Sequence, residues 1–320
     1  MKGKYRVRIQ NRKLRYEFEI TRNITVIKGD SATGKTTLVD MIREYYENGR
    51  DSGIELNCPV SCAVLEGKNW KSQLAQFQGS ILFIDEGNRF VASQEFAEAI
   101  QGSDNYYVIV TRESLPMLPY SVEEIYGIRN SGKYGTLKRT YNEMYHIYSV
   151  NVLRQEMKPG KVITEDSNAG FEFFNHICRE KGIACAAAGG KSNLFALLMT
   201  EAEENTLVVA DGAAIGSEME KLMDLLRVKS NVYLYLPESF EWLILSSGVL
   251  EDHEIPAILE SPWEYVDGKE FFSWERYFSA FLINRTQETY LEYSKSRLNP
   301  AYLKGNVEER IVKTMKDVKL

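Results

Sequence analysis

Eleven residues, IKGDSATGKTT at positions 27–37, constrain this chain more than any others. Gly29, Gly34, Lys35 and Thr36 stand at the spacing G-x-x-x-x-G-K-[ST]. Such a run works only where a buried strand ends, turns over bare backbone N–H groups and starts a helix whose positive end faces the turn. The flanks meet that demand. ITVIKG is a short apolar run suited to a buried strand, and GKTTLVDMIREYYENG carries apolar residues at helical spacing and closes on Gly49. In this setting Gly29, Asp30, Ser31, Ala32, Thr33, Gly34, Lys35, Thr36 and Thr37 surround the phosphates of a nucleotide. Lys35 neutralises the β- and γ-phosphates and the Thr36 hydroxyl suits Mg²⁺, so the loop predicts ATP and Mg²⁺ as cofactors.

The surrounding pattern predicts where the loop sits. YRVRI and LRYEFEI alternate at period two around QNRK, a β-hairpin leading into the strand before the loop. Strands around CAVLEG, SILFIDEG and NYYVIVTRE then alternate with helices around WKSQLAQFQ and QEFAEAIQG. Near-continuous apolar strands alternating with helices predict a parallel sheet covered on both faces. EEIYGIRNSGKYGTLKRTYNEMYHIY reads as a long polar-aromatic hairpin around a Ser-Gly turn. Past Lys158-Pro159-Gly160 the βα alternation begins again and runs to about residue 250, after which the tail reads as helical. The expected organisation is therefore a nucleotide-binding α/β domain over 1–150, a second α/β domain over 151–250 and a helical extension over 251–320.

SILFIDEG ends on Asp85 and Glu86. A carboxylate at the first position can hold Mg²⁺, and one at the second can orient and deprotonate the attacking water. This pair speaks for hydrolysis and against a small-molecule kinase. Thr111 and Arg112 end the next core strand, and Arg89 is a weaker candidate arginine. The hairpin entry, the loop and the acidic strand end resemble ABC-type ATPases such as the RecF and SMC groups. Thr111 and Arg112 fall where AAA-type ATPases place a polar residue that senses the γ-phosphate. The chain departs from the ABC pattern in having 50 residues between Lys35 and Asp85 and no L-S-G-G-Q-like signature. The resemblance therefore implies a compact P-loop ATPase core, with Glu86, Lys35, Thr111 and Arg112 catalytic and Thr36 and Asp85 on the metal.

In the second domain Glu165 ends the first strand, around KVITED, and Asp211 ends the third, around TLVVADG. Strand C-termini of a parallel sheet share one edge, so these two carboxylates are expected to converge and to bind a divalent cation, Mg²⁺ or Mn²⁺. Over residues 160–245 this resembles the TOPRIM fold of topoisomerases, primases and the OLD-family ATPase-nucleases, marked by a Glu after the first strand and Asp-x-Asp after the third. AGGKSN with Lys191 and PESFEWLIL with Glu241 add to it. Ala213 stands in place of the second Asp; Asp166 or Glu218 are its candidate substitutes. The resemblance implies an ATPase whose second domain binds and cleaves nucleic acid with Mg²⁺, in phage defence or mobile-element biology. The alternative is an ATPase switch whose degenerate second domain is a sensor or a partner-binding module.

Composition narrows the setting. No stretch approaches the roughly 18 apolar residues of a membrane span, so a cytoplasmic chain without a membrane partner is expected. Cys58, Cys62, Cys178 and Cys185 make no disulfide framework, and His146, His176 and His253 make no metal-ligand spacing. Charge is uneven: residues 1–150 hold 20 Lys/Arg against 18 Asp/Glu, and residues 151–320 hold 19 against 27. The basic excess lies in Lys2, Lys4, Arg6, Arg8, Arg12, Lys13 and Arg15. It suits either nucleic-acid phosphates or a solvated edge hairpin. A nucleic acid, a second copy of the chain and a partner protein are the expected partners.

Overall fold

In β1 (Tyr5–Gln10) and β2 (Leu14–Ile20) alternate side chains are buried, with Val7 and Ile9 of the one and Tyr16, Phe18 and Ile20 of the other turned into one core. The computed structural model describes residues 1–29, 33–130, 140–148, 157–201 and 204–320. Two units emerge: Met1–Tyr148 with Trp263–Ser273, and the described residues of Ser149–Pro262 with Trp274–Leu320.

The first unit continues through β3 (Ile24–Ile27), α1 (Lys35–Asn48), β4 (Glu55–Asn57), β5 (Cys62–Val64) and α2 (Trp70–Leu74). It then runs through β6 (Ser80–Ile84), α3 (Gln94–Ile100), β7 (Asn105–Val110), β8 (Ile125–Asn130) and β9 (Thr140–His146). β3, β6 and β7 are buried at every residue, which is why their sequences run apolar without alternation. α1 turns Leu38, Val39, Met41 and Ile42 inward, the i, i+3, i+4 stripe of an amphipathic helix, and ends where Gly49 takes a φ of 57°.

One nine-stranded sheet holds all these strands in the order β4-β1-β2-β9-β8-β3-β7-β6-β5. From β8 to β5 the neighbours are parallel, as the βα alternation predicts. The expectation of a parallel sheet with a separate edge hairpin needs correction, because β9 returns antiparallel beside β8 and pairs in parallel with β2. That continuous pairing satisfies backbone groups that a free hairpin would leave open. The sheet is therefore mixed, and β1 is not its edge, since three residues of β4 pair with its outer side. The expected turn between β8 and β9 falls at 131–139, outside the described residues.

Glu124 enters β8 as a buried carboxylate, 3% exposed, accepting from Thr21 at 3.1 Å and Thr25 at 2.8 Å and facing Arg22 Nε at 3.5 Å. Burial pushes its pKa up to about 7, outweighing the downward pull of Arg22 and the two hydroxyls. An unfolded glutamate titrates near 4.5. Between those values the folded chain keeps a proton that the unfolded chain has lost, so stability falls as pH rises through that window. Urea titrations should show the wild type losing on the order of 3 kcal/mol between pH 4.5 and 8 relative to Glu124→Gln. Equal pH slopes in the two proteins would remove Glu124 as the cause.

The second unit is built from β10 (Lys161–Thr164), α4 (Ala169–Glu180), β11 (Ala184–Ala187), α5 (Lys191–Glu201), β12 (Thr206–Val209), α6 (Met219–Val228) and β13 (Val232–Tyr235). Its four strands are all parallel in the order β11-β10-β12-β13. The helices α7 (Phe240–Ser246), α8 (Ile255–Glu260), α9 (Trp274–Thr286) and α10 (Gly305–Lys313) follow. α7 starts on Ser239, whose hydroxyl accepts from the Trp242 N–H, and packs against α8 and α9. Among the described residues no helix is long and apolar enough to cross a membrane.

Candidate functional site

Strand order in the first unit brings three chain segments to one edge. β7 lies between β3 and β6, so the residues following all three strands leave the sheet side by side. The loop follows β3, Asp85 and Glu86 follow β6, and Thr111 and Arg112 follow β7.

At the loop, Lys35 is 5% exposed and its ammonium donates back to the Gly29 carbonyl at 2.7 Å and the Thr33 hydroxyl at 3.1 Å. A buried cation thus spans the loop from within. Gly34 has a φ of 90°, and a Cβ there would meet the Tyr16 hydroxyl at 2.7 Å. Both facts require glycine. The same hydroxyl donates to the Gly34 carbonyl at 2.9 Å, so β2 braces the turn. Thr37 continues α1 as an exposed residue. Asp30, Ser31 and Ala32 lie outside the described residues.

The Thr36 hydroxyl stands 3.5 Å from Asp85 Oδ1. Adjacent ligands of an octahedral Mg²⁺ lie about 3 Å apart, so these two oxygens are spaced to share one cation. Burial raises the Asp85 carboxyl, with Asp40 and Glu86 adding to it, against the Glu86 N–H and Arg43, which favour the charge. A dication would reverse that balance. Glu86 is more open and accepts from Arg112 Nε at 2.8 Å. Thr111 is buried, and its hydroxyl closes a turn on the Glu113 N–H at 3.0 Å. Arg89 is exposed and opens the short 3₁₀ turn Arg89–Ala92 after β6.

In the second unit, Glu165 and Asp211 meet as the shared strand edge predicts: Glu165 Oε2 accepts from the Asp211 N–H at 3.1 Å. Gly212 holds the turn, since a Cβ there would strike the Leu236 and Pro237 carbonyls at 2.7 and 2.8 Å. With Asp166 they line a cavity of about 20 Å³, room for one ion or water. Burial pushes Glu165 up to about 7, and burial also raises Asp211 well above the ordinary carboxylate range, helped by Glu275, Glu165 and Glu241.

Two of those neighbours come from beyond the sheet. Glu241 is 1% exposed and accepts from Ser279 at 2.8 Å and Tyr293 at 2.9 Å. Lys295 pairs with Glu275 and lies 3.9 Å from Glu241. Burial lowers the Lys295 pKa, but those two glutamates overcome it and hold the ammonium charged. Lys191 donates to the Ala214 carbonyl at 3.0 Å and feels Glu165, Glu218 and Glu275. Ala213 is buried, and Glu218, a candidate substitute, is paired with Lys221 at 3.2 Å.

Among the described residues, the three ligand atoms found within 4.8 Å of one another belong to His176, Glu180 and Glu308, not to Glu165, Asp211 and a third carboxylate. Two of these three, His176 and Glu180, stand four residues apart on α4, where the sequence was read as holding no metal-ligand spacing around the histidines; Glu308 arrives on α10. Glu275, Tyr293 and Lys295 carried no local signal at all, because only the packing of the C-terminal helices brings them to the strand edge.

In the basic cluster of the N-terminal hairpin, Lys4 pairs with Glu19 at 2.7 Å. Arg6, Arg8 and Arg15 converge on Glu17, whose burial is outweighed by their hydrogen bonds, so its pKa is held at about 2. Tyr106, Tyr107 and Trp274 are buried packing residues. Cys58, Cys62, Cys178 and Cys185 are free thiols, Cys62 and Cys178 buried, with Cys62 Sγ donating to the Val60 carbonyl at 3.9 Å.

Fold and sites together define an α/β chain with two acidic strand-edge sites, one on a large mixed sheet and one on a small parallel sheet. No protein-family model matches this sequence, and the curated proteins contain no match to it.

Proposed function

We propose that the first unit binds and hydrolyses ATP with Mg²⁺. The observation that carries this reading is the 3.5 Å approach of the Thr36 hydroxyl to Asp85, made across the sheet edge by residues 49 positions apart (85 − 36). It is supported by the Lys35 ammonium, already folded into the loop where β- and γ-phosphates would replace Gly29 and Thr33 as its partners. Thr36 and Asp85 would hold the cation, which screens the phosphate charge when bound. Glu86, one residue further out and open to solvent, orients water and takes its proton.

The second unit is read as a single-cation site of Glu165 and Asp211. The cavity of about 20 Å³ beside them has room for one ion, and Glu165 and Asp211 match the one or two carboxylates that Mg²⁺ takes from a protein. Lys191 and Lys295 supply positive charge for a phosphodiester. Nucleic-acid cleavage is the leading activity of this unit. Ala213 favours the other reading, a cation-dependent sensor or partner-binding module without cleavage.

Phosphate release from ATP tests the first unit. Wild-type protein with Mg²⁺ should turn over, and Glu86→Gln should lower kcat on the order of 10²- to 10³-fold while still binding ATP. Release unaffected by Glu86→Gln overturns its role as base. Transfer of the phosphoryl group to an acceptor in place of free phosphate would make the protein a kinase.

A further inference from the structure

Two carboxylates and an imidazole come together in the second unit, away from its acidic strand edge. His176 and Glu180 stand four residues apart on α4, about one turn of helix, so both leave the same face. Glu308 reaches them from the first turn of α10. Glu180 Oε1 and Glu308 Oε2 lie 3.5 and 3.6 Å from His176 Nε2, and a ligand atom of each residue falls within 4.8 Å of the other two. We propose that His176, Glu180 and Glu308 bind one Zn²⁺, which ties α10 to α4, at a site separate from Glu165 and Asp211.

The distances argue for coordination. An N–H···O bond closes at about 2.7–3.2 Å, and a ring nitrogen carries one proton at most. His176 Nε2 instead faces two carboxylates, both beyond that range. Zn²⁺ holds imidazole nitrogen and carboxylate oxygen at about 2.0–2.2 Å, which sets neighbouring ligands of a tetrahedron about 3.4 Å apart. Both spacings at His176 lie close to that edge. Glu180 is 59% exposed, so its carboxylate can turn to close the remaining side.

The donor set selects the metal. Mg²⁺ prefers oxygen ligands and keeps several waters, whereas Zn²⁺ takes nitrogen and oxygen in one tetrahedron, so the imidazole sets this group apart from an acidic cluster. A neutral imidazole with two carboxylates also balances the charge of a dication, and three protein ligands leave the fourth position to water. Packing holds the third ligand in place. Ile311, three residues after Glu308 and so on the same face of α10, is buried. Arg310 donates to the Gly248 carbonyl, and beyond the helix Val318 bridges to Met157. Lys181, the neighbouring cation, donates to the Leu320 carbonyl. The site is distinct from the strand edge: His176 stands seven residues (176 − 169), about 10 Å, along α4 from the end where Gly170 faces Asp166.

Titration calorimetry with ZnCl₂ tests the site, using the full chain without an affinity tag, stripped of metal by chelator and then held in excess Mg²⁺. The wild type should bind Zn²⁺ despite the Mg²⁺, and its melting temperature should rise with Zn²⁺ concentration. His176→Ala and Glu308→Gln should each weaken binding at least about 100-fold, since even the outer partners of metal ligands are worth about 10- to 100-fold. Glu180→Gln, at an exposed position, should do the same, and it decides the matter if a more buried change impairs folding. A double variant, Glu165→Gln with Asp211→Asn, should keep its Zn²⁺. No uptake by the wild type overturns the proposal and leaves His176 as an ion-pair partner of the two glutamates. So does uptake that survives unweakened in folded His176→Ala or Glu180→Gln protein, or that disappears in the folded double variant.

Discussion

Lys35→Ala is expected to lose ATP affinity by at least about 100-fold, roughly 2.7 kcal/mol or more, and with it all ATP turnover. The lysine is 5% exposed and already bonded to the Gly29 carbonyl and the Thr33 hydroxyl inside the loop. Truncation removes the cation that faces the β- and γ-phosphates and leaves two acceptors in a closed turn without their donor. Lys35→Arg should not restore binding, because a planar fork is bulkier than the compact ammonium that this loop encloses. Titration with a fluorescent ATP analogue measures the loss, and thermal melts confirm that the variants fold. Unchanged affinity in a folded Lys35→Ala protein would refute the assignment of the loop.

Glu165→Gln and Asp211→Asn carry the second large effect. If the second unit cuts nucleic acid, either change should reduce Mg²⁺- or Mn²⁺-dependent cleavage of plasmid or single-stranded substrates on the order of 10³-fold, since a cation that activates water supplies several kcal/mol. In the absence of nucleotide, each should also remove one bound Mn²⁺ per chain, counted by electron paramagnetic resonance. That count is best made at pH 8, above the value of about 7 to which burial pushes Glu165. Intact substrates with Mn²⁺ still bound would assign the unit to sensing. Intact substrates and an unaltered ion count in both variants would remove the site itself.

These two tests divide along what sequence could carry. The loop was legible because its signal is local: four spaced residues call for a strand, a tight turn and a helix, and the structure has β3 ending at Ile27 and α1 starting at Lys35. The pairing of Glu165 with Asp211 was legible for a related reason. Parallel strands end together, so two acidic strand ends 46 residues apart have one place to meet. The hairpin's destiny was not legible. Its alternation is equally compatible with an edge ribbon and with the mixed sheet that β9 creates by pairing with β2. The basic residues at its start read as either a phosphate surface or a solvated hairpin, and only the fold shows three of them converging on Glu17.

Sequence alone determined which residues are candidates for chemistry and which strand ends they occupy, because periodicity and turn residues act over a few positions. Tertiary structure alone decided who stands beside whom. β7 lies between β3 and β6, which sets Arg112 against Glu86. The chain past the sheet, α9 and the segment after it, brings Glu275, Tyr293 and Lys295 to a site whose two carboxylates end strands much earlier in the sequence. The physical reason is that charges act through space at a few ångströms, while sequence records only order along the chain; burial and packing convert the second into the first.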